Sequence, residues 1–441
     1  MKTTVSNWSN YPTKDATLTY WRGERIPANG KHWIARGLGR CYGDASLSDH
    51  IFSTVKHNHI LEFNPETGSI CCQSGISLHD LLKVFVPKGW FLPVTPGTKF
   101  ITVGGALASD IHGKNHHVAG CFGDHVTSCT LILANGERMR CSPTENSEAF
   151  NATRGGMGLT GMIDTVTFQL KRIDTSYIRQ RQIKAGNLTE VLALFEQYKS
   201  YTYSMAWIDC LKGGKNFGRS IMMMGEHASL SELSSKQREN PLTSKAGRGV
   251  TMPINLPGFV LNALSVKAFN WLYFHKNIKK VMENTVHYDP FFYPLDSILH
   301  WNRMYGKNGF VQYQFVLPIA NSEAGLIHIM NRIQQKGWGS FLSVLKLFGK
   351  QDSLISFPME GYTLALDFPL KRGLFTFLDE LDELVLELGG RIYLTKDARM
   401  KASTFNQGYP NSQEFFSILK KINPDLTIQS DLAKRLSILP A

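Results

Sequence analysis

A glycine-rich segment, Arg36-Gly37-Leu38-Gly39-Arg40-Cys41-Tyr42-Gly43-Asp44, follows the short apolar run 33–35. A second glycine-rich stretch comes later, reading PGT at 96–98, TVGG at 102–105 and DIHGK at 110–114. Glycine lets a ligand approach the backbone closely, and successive N–H groups in such turns bind anions. Two such loops predict a site that encloses a pyrophosphate, while spacing alone leaves simple turns as an equal alternative.

Two familiar nucleotide motifs are excluded by the order of these glycines. Neither loop has the GxxxxGK[ST] pattern, and GLGRCYG does not match GxGxxG. Around the loops the pattern favours strands, for example at Val126–Leu133, which the Asn135-Gly136 turn should close into a hairpin. A short helix is predicted at Ser77–Phe85, with Ser77 at its N-cap. Many strands with few long helices indicate an α+β fold.

Composition and charge narrow the class of protein further. The chain has 441 residues, enough for two or three domains, and 43% hydrophobic against 19% charged residues excludes a mostly disordered chain. Lys+Arg 48 against Asp+Glu 36 gives a net charge of +12, which favours anionic partners. The basic residues are scattered and no nucleic-acid-binding signature stands out, so we predict no nucleic-acid partner.

The cysteines and the amino-terminal residues indicate the cellular compartment of the protein. Seven cysteines without a CxxC pair do not form a disulfide framework or a zinc module, and they fit a reducing compartment. The first twenty residues lack an apolar core, and no apolar run of about 18 residues occurs. We therefore expect no signal peptide and no transmembrane helix, with a cytoplasmic or envelope-associated protein peripheral to the inner membrane.

The pattern of residue types along the chain changes from about residue 176. An amphipathic helix is predicted at Leu188–Tyr201, and another at Leu374–Leu388, whose carboxylates should form a solvated face. A strand is predicted at Arg391–Thr395, directly before Lys396. The apolar and aromatic stretch Pro257–Phe274 has two open interpretations, which are core packing and an interfacial segment that contacts lipid.

A cluster of histidines invites a metal interpretation that the spacing does not favour. His112 and His116 have helical i, i+4 spacing, but Gly113 and Asn115 interrupt a helix there. We predict no metal site and assign this cluster to a ligand pocket or to structure; its members are His112, His116, His117, Cys121 and His125.

Longer motifs carry a resemblance to a known family. RGLGRCYGD, TVGGALASDIHGKNHH and RGGMGLTG resemble the FAD-binding domain of the vanillyl-alcohol-oxidase-type (PCMH-type) flavoproteins. WNRMYG, FVQYQFVLP, GGRIYLTKDAR and SDLAKRL extend the resemblance nearly end to end, to the decaprenylphosphoryl-β-D-ribose 2-oxidase family. The resemblance implies a two-domain α+β fold, with an FAD-binding domain at 1–175 and 391–441 and a substrate domain on an antiparallel sheet at 176–390.

The resemblance also implies an activity. It is the FAD-dependent oxidation of the 2-hydroxyl of a polyprenyl-phosphoryl-β-D-ribose to the 2-keto sugar, the first half of epimerisation to the arabinose form in cell-envelope biosynthesis. A short-chain NAD(P)H reductase would complete the epimerisation, and the lipid-linked substrate implies peripheral membrane contact. The alternatives are a soluble sugar or aldonolactone oxidase on the same fold, and a basic binding protein without turnover.

Site residues follow from matching the family's motifs position by position. The catalytic residues implied are Lys396, Tyr42, His112 and Lys114. The cofactor-binding residues implied are Arg36, Gly37, Leu38, Gly39, Arg40, Cys41, Tyr42, Gly43, Asp44, Gly97, Thr102, Val103, Gly104, Gly105, Ser109, Asp110, Ile111, His112, Ile163 and Tyr393. The substrate-binding residues implied are Gln312, Gln314, Lys346, Phe348, Thr363 and Ala365. Covalently flavinylated relatives carry His where this chain has Arg40, so we expect non-covalent FAD. Some family members have Cys where this chain has Ala365 and Asn where it has Thr363. These differences should reshape the pocket of this chain.

Overall fold

A computed structural model describes residues 2–23, 32–244, 249–258 and 260–438. The strands are β1 (Lys2–Ser6), β2 (Thr13–Tyr20), β3 (Trp33–Arg36), β4 (His50–Ser53), β5 (Ile60–Phe63), β6 (Ser69–Gln73), β7 (Trp90–Phe91), β8 (Val126–Ile132), β9 (Arg138–Cys141), β10 (Met162–Gln169), β11 (Lys171–Arg172), β12 (Tyr177–Ala185), β13 (Tyr203–Ile208), β14 (Ser220–His227), β15 (Val250–Thr251), β16 (Val281–His287), β17 (Ile298–Leu299), β18 (Phe310–Pro318), β19 (Ser343–Phe348), β20 (Gly361–Pro369) and β21 (Arg391–Ile392).

Helices are interspersed among these strands. The α-helices are α1 (Leu78–Phe85), α2 (Val103–Ala108), α3 (His116–Ala119), α4 (Ser147–Thr153), α5 (Leu188–Gln197), α6 (Ser235–Arg238), α7 (Ala263–His275), α8 (Tyr288–Phe292), α9 (Ile319–Lys336), α10 (Leu374–Glu387), α11 (Ala402–Gly408), α12 (Ser412–Ile422) and α13 (Asp431–Arg435). Short 3₁₀ turns lie at Val86–Lys88, Phe122–His125, Gly214–Asn216, Leu230–Glu232, Pro294–Ser297 and Trp301–Tyr305.

The described residues form five sheets, three of them large and two of only two strands each, β7 with β11 and β15 with β17. A mixed four-stranded sheet has the order β1-β2-β4-β3, and an antiparallel five-stranded sheet has the order β5-β6-β10-β8-β9. The largest sheet is antiparallel with the order β16-β12-β14-β13-β19-β20-β18-β21. The chain is therefore α+β, with mixed helices and antiparallel sheets.

The chain leaves the largest sheet after β21 and returns to the first sheet. Trp33 forms a parallel bridge with Ile428, and its N–H donates to the Thr427 carbonyl at 2.9 Å. The segment after β21 therefore packs against the same sheet that begins the chain. Pairing places Arg391 and Ile392 in the largest sheet.

Two local predictions are confirmed, and each has a physical reason in the residues concerned. Ser77 caps α1, and its hydroxyl accepts from the Asp80 N–H at 3.0 Å. β8 and β9 form the predicted hairpin around Gly136, whose φ of +85° suits glycine.

Two local predictions are wrong. The predicted strand at Arg391–Thr395 ends at Ile392, because the backbone then turns, with the N–H groups of Lys396 and Asp397 donating to the Tyr393 carbonyl. The acidic face of α10 is not wholly solvated, because Asp382 is buried. Its carboxylate accepts from the Tyr313 hydroxyl at 3.0 Å and pairs with Arg399.

Within the described ranges, the structure contains no helix that is both long and apolar enough to cross a bilayer.

Candidate active site

The glycine-rich loops and the largest sheet enclose one cavity of about 840 Å³. Its lining includes both loops, the turn after β21, and inward-facing side chains of β18, β19 and β20. The cavity thus joins segments that are far apart in the chain, and its three regions differ in chemistry.

The first loop owes its shape to glycine and to the amino-terminal residues. Gly39 has a φ of +63°, and a Cβ there would lie 2.1 Å from the Arg36 guanidinium, so only glycine fits without a shift. Arg36 donates to the Ser6 carbonyl at 2.7 Å and to the Asn7 side chain. Asn7 in turn donates to the Gly43 carbonyl at 2.7 Å. These hydrogen bonds fix the position of the first loop at the wall of the cavity.

The turn after β21 packs directly against this loop. The Tyr42 N–H donates to the Thr395 carbonyl at 3.0 Å. Arg435 bridges the two segments, because its guanidinium lies 2.8 Å from carboxylate oxygens of both Asp44 and Asp397. Sequence reasoning missed Arg435, although it lies in the SDLAKRL motif. Its role is to hold the first loop against the turn that carries Lys396.

The second loop completes a cradle with exposed backbone. A Cβ on Gly37 would meet the Thr102 side chain at 2.2 Å, so the two loops touch there. A Cβ on Gly97 would meet no atom within 4 Å, because that side faces the cavity. Ser74 also lines the cavity, and its buried hydroxyl lacks a hydrogen-bond partner among the described residues. Open glycine backbone and an unpartnered hydroxyl fit a polar cofactor such as FAD.

Lys396 lies at the polar centre of the cavity. Its Nζ is 3.7 Å from the centre of the Tyr42 ring, a cation–π geometry. Burial lowers the pKa of Lys396, against the opposing attraction of Asp367. A lysine in this setting exchanges a proton more readily than one in water, which suits proton transfer or charge stabilisation.

Beside it, His112 and Gln314 form a second polar group. The Gln314 amide nitrogen lies 3.2 Å from His112 Nε2 and donates to the Thr363 hydroxyl at 3.2 Å. Burial lowers the pKa of His112 well below its usual value, and its Nδ1 has no partner among the described residues. The imidazole is therefore neutral at ordinary pH.

Two further lysines face the same space. Burial lowers the pKa of Lys346 to about 8, and burial with the nearby Lys346 lowers the pKa of Lys114 to about 7. Lys114 donates to the Phe291 carbonyl, and its Nζ lies 4.4 Å from the Phe291 ring centre. Crowded, desolvated cations of this kind favour an anionic ligand.

Most of the predicted site residues line the cavity, and five lie behind its wall. Gly43 packs on the Asp397 backbone, Asp44 pairs with Arg435, and Val103 is in the core. Asp110 accepts from the Gly123 N–H and the Ser356 hydroxyl, and Phe348 packs edge-on against His112. The other predicted residues line the cavity, which are Arg36, Gly37, Leu38, Gly39, Arg40, Cys41, Tyr42, Gly97, Thr102, Gly104, Gly105, Ser109, Ile111, His112, Lys114, Ile163, Gln312, Gln314, Lys346, Thr363, Ala365, Tyr393 and Lys396.

The histidine cluster is dispersed among structural contacts. His116 Nδ1 accepts from the Gly349 N–H at 3.2 Å, while His117 and His125 bond to backbone carbonyls. Among the described residues, no group of three or more His, Cys, Asp or Glu side chains is arranged to hold a metal ion.

The part of the cavity lining that α7 contributes is largely apolar. Val266, Phe269 and Tyr273 of this helix line the cavity. Tyr273 packs against Trp207 and Phe269 packs against Phe341. The other face of α7 points outward, with Leu264 80%, Trp271 54% and Leu272 62% exposed. Phe259, which also belongs to the stretch Pro257–Phe274, lies outside the described residues.

The comparisons with known proteins agree with this geometry. A family model described as an FAD binding domain matches residues 24–142. The chain is 39% identical to decaprenylphosphoryl-beta-D-ribose oxidase of Mycolicibacterium smegmatis over 418 residues, covering 93% of this chain and 90% of that protein. It is 34% identical to L-gulonolactone oxidase of Bos taurus, but over only 30% of either chain.

The match to the FAD-binding family model and the similarity to a known oxidase define an FAD-dependent oxidoreductase. The glycine-rich cradle and the buried lysine fit that class. Within that class the chain belongs to the decaprenylphosphoryl-β-D-ribose oxidase family, since it is 39% identical to a member over 93% of its length.

Proposed function

We propose that the protein oxidises the 2-hydroxyl of a polyprenyl-phosphoryl-β-D-ribose to the 2-keto sugar. The observation that carries the proposal is one cavity that joins the glycine cradle, a buried lysine cluster and the largely apolar lining from α7. A cofactor, a phosphorylated sugar and the start of a lipid tail need those three environments. Similarity over 93% of the chain to the ribose oxidase supports the same substrate.

A soluble sugar or lactone oxidase is the second candidate, and the extent of similarity disfavours it. The gulonolactone oxidase matches over 136 residues, whereas the ribose oxidase match also includes the sheet that carries Gln312, Gln314 and Lys346. The deciding experiment is anaerobic titration of the holoenzyme with lipid-linked ribose, free ribose and gulonolactone. We expect the flavin to bleach with the first alone, and bleaching by the lactone alone would contradict the proposal.

The residues of the chain divide the work at the reacting carbon. When bound, FAD accepts hydride from the carbinol carbon. Lys396 either accepts the hydroxyl proton in its neutral form or stabilises developing negative charge in its protonated form. Gln312, Gln314 and Tyr42 orient the sugar, and the walls of the cavity exclude water from it.

Lys114 and Lys346 are assigned to the phosphate. Their pKa values of about 7 and about 8 leave part of the population neutral near neutral pH. An adjacent phosphate favours the charged form of both lysines, so substrate binding takes up protons. The two lysines thereby distinguish a phosphorylated sugar from a neutral one.

The domain division and the reductase complete the proposal. Residues 1–175 and 391–441 form the FAD-binding part, and 176–390 form the substrate part. A short-chain NAD(P)H reductase then reduces the ketone with inverted configuration to give the arabinose form. The product of the oxidation is a reactive keto sugar on a lipid carrier, which supports a partner acting in the same envelope pathway.

Helix α7 is proposed as the contact with the membrane surface. Its outward stripe follows helical spacing, with Leu264, Ala268, Trp271, Leu272 and His275 all exposed. Lys267, Lys276, Lys279 and Lys280 are exposed around it and would meet anionic headgroups. Because the inner face of the same helix lines the cavity, the lipid tail has a short path from the bilayer.

We propose that FAD is held without a covalent bond, so acid precipitation should release it into the supernatant. Arg40 occupies the attachment position, with its guanidinium 3.9 Å from the centre of the Trp8 ring. Burial raises the pKa of the adjacent Cys41 thiol, which disfavours the nucleophilic thiolate. Absorbance of pellet and supernatant measures the outcome. Yellow colour retained in the pellet would contradict the proposal and direct peptide mapping to Cys41 and His112–His117.

A pair of glycine substitutions separates cofactor binding from folding. Gly97→Ala places a methyl group in the cavity and should weaken FAD binding by about 1–3 kcal/mol through overpacking, with an unchanged apoprotein melting temperature. Gly43→Ala places its Cβ 1.7 Å from the Asp397 carbonyl oxygen and should lower the melting temperature itself. Flavin stoichiometry and thermal melts check both. Parental FAD affinity in Gly97→Ala would remove this part of the loop from the cofactor site.

A further inference from the structure

A carboxyl group lies directly behind the polar centre of the cavity. Asp367 of β20 is 1% exposed and faces Gln312 across the β18–β20 ladder. One of its oxygens accepts from the Gln312 amide at 2.5 Å, and the other accepts from the Tyr305 hydroxyl at 3.1 Å. Its backbone N–H donates to the Ser340 hydroxyl at 3.0 Å. The side chain is therefore held by two hydrogen bonds from different segments, and the third fixes its backbone.

The hydrogen bond to Gln312 determines what that residue offers to a ligand. A carboxylate accepts hydrogen bonds and cannot donate them, so the NH₂ end of the Gln312 amide must face Asp367. The amide carbonyl oxygen and the second N–H are then left for other partners. Since Gln312 lines the cavity, Asp367 controls the polarity of a wall that it does not itself form.

Asp367 also interacts electrostatically with Lys396. Burial raises the pKa of Asp367, while Lys396 and the hydrogen bonds from Gln312 and Tyr305 oppose that rise. Among the charged and titratable groups around Lys396, Asp367 and Cys41 favour its protonated form and Lys346 disfavours it. The Tyr42 ring centre lies 3.7 Å from its Nζ, and Lys396 in turn contributes to the lowered pKa of His112. Asp367 is the larger of the two favourable influences.

We propose that Asp367 is a positioning residue for this oxidation, acting through Gln312 by orienting its amide and through Lys396 by stabilising its ammonium form. The inference rests on the proposed function, since it assigns both partners to the reaction. An opposite charge favours the charged form of a neighbour, so loss of the carboxylate lowers the pKa of Lys396. The direction is the same whether Lys396 acts as a base or as a cation.

The test compares holoenzymes of the parent, Asp367→Asn and Lys396→Ala over a range of pH. One arm follows the flavin absorption spectrum without substrate. The other follows the rate of anaerobic flavin reduction by a lipid-linked ribose. In both arms we expect a pH-dependent transition that reports the protonation of Lys396. Lys396→Ala should abolish this transition, and Asp367→Asn should move it to lower pH by about one unit. Asp367→Glu should move it back toward the parental position.

Asp382→Asn is the matched control, because Asp382 is also a buried carboxyl that accepts from a tyrosine hydroxyl. It should leave the transition where the parent has it. If Asp367→Asn does not fold, Asp367→Ser also removes the charge with a smaller side chain and should give a shift in the same direction.

Two results would overturn the inference. One is a neutral variant at position 367 that keeps FAD and shows the parental transition. The other is a parent without any transition that Lys396→Ala removes. If lipid-linked ribose fails to reduce the flavin of the parent enzyme, that result counts against the proposed function. The spectral arm needs no substrate, so it still tests the role of Asp367 in that case.

Discussion

Lys396→Ala is expected to keep its fold and to reduce its flavin roughly 10²–10⁴-fold more slowly than the parent, the usual loss when a general base is removed. Lys396 lies on the cavity wall with its Nζ over the Tyr42 ring. The substitution removes both the proton acceptor and the cation at this point. Stopped-flow reduction by lipid-linked ribose under anaerobic conditions measures the rate of the chemical step.

Lys171→Ala is the matched control for this substitution. Its Nζ lies 5.1 Å from the centre of the Tyr203 ring, and burial lowers its pKa as it does for Lys396. Lys171 lies on β11, away from the reacting region, so its loss should leave the rate unchanged.

Lys396→Arg distinguishes the two roles, since arginine keeps the charge and stays protonated at ordinary pH. A substantially active Arg variant favours the electrostatic role. Reduction of Lys396→Ala at the parental rate would place the chemistry elsewhere, with His112, Lys114 and Tyr42 as the remaining candidates.

Replacing the outward stripe of α7 is expected to weaken binding to anionic vesicles by about 100-fold. The variant is Leu264→Ser with Trp271→Ser and Leu272→Ser. Each side chain loses part of the roughly 1.5–3 kcal/mol that full burial of a large apolar group provides. Flavin content should not change, because these side chains point away from the cavity. Vesicle sedimentation with increasing salt measures both contributions, since salt screens the basic residues and leaves apolar burial in place.

Ile319→Ser with Ile327→Ser is the control for this experiment. Both isoleucines are exposed on α9, at 45% and 38%, so the change in surface polarity is similar on a different helix. The control should bind vesicles as the parent does. If the α7 variant also binds with parental affinity, the stripe does not contact the membrane and that part of the proposal fails.

Local sequence determined the elements and the class of protein. Ser77 predicts the start of α1 because a cap is satisfied within one turn, and Asn135-Gly136 predicts the β8–β9 hairpin for the same local reason. The glycine-rich loops predict a pyrophosphate site with simple turns as an equal alternative, since open backbone is a property of the residues themselves. The longer motifs identified the family, which similarity over 93% of the chain then showed.

Contacts between residues far apart in the chain depend on long-range packing, which the local sequence does not reveal. Asp382 belongs by pattern to a solvated face, yet α10 packs against β18 and buries it beside Tyr313. Asp367 and Arg435 carry no local signal of function, because their roles arise from partners more than 25 residues away in the chain, at Gln312, Tyr305, Asp44 and Asp397. The stripe on α7 is ambiguous in sequence, since core and membrane-facing helices have the same composition. Its exposure is set by which face the largest sheet covers, and long-range packing of this kind is not encoded in any local pattern.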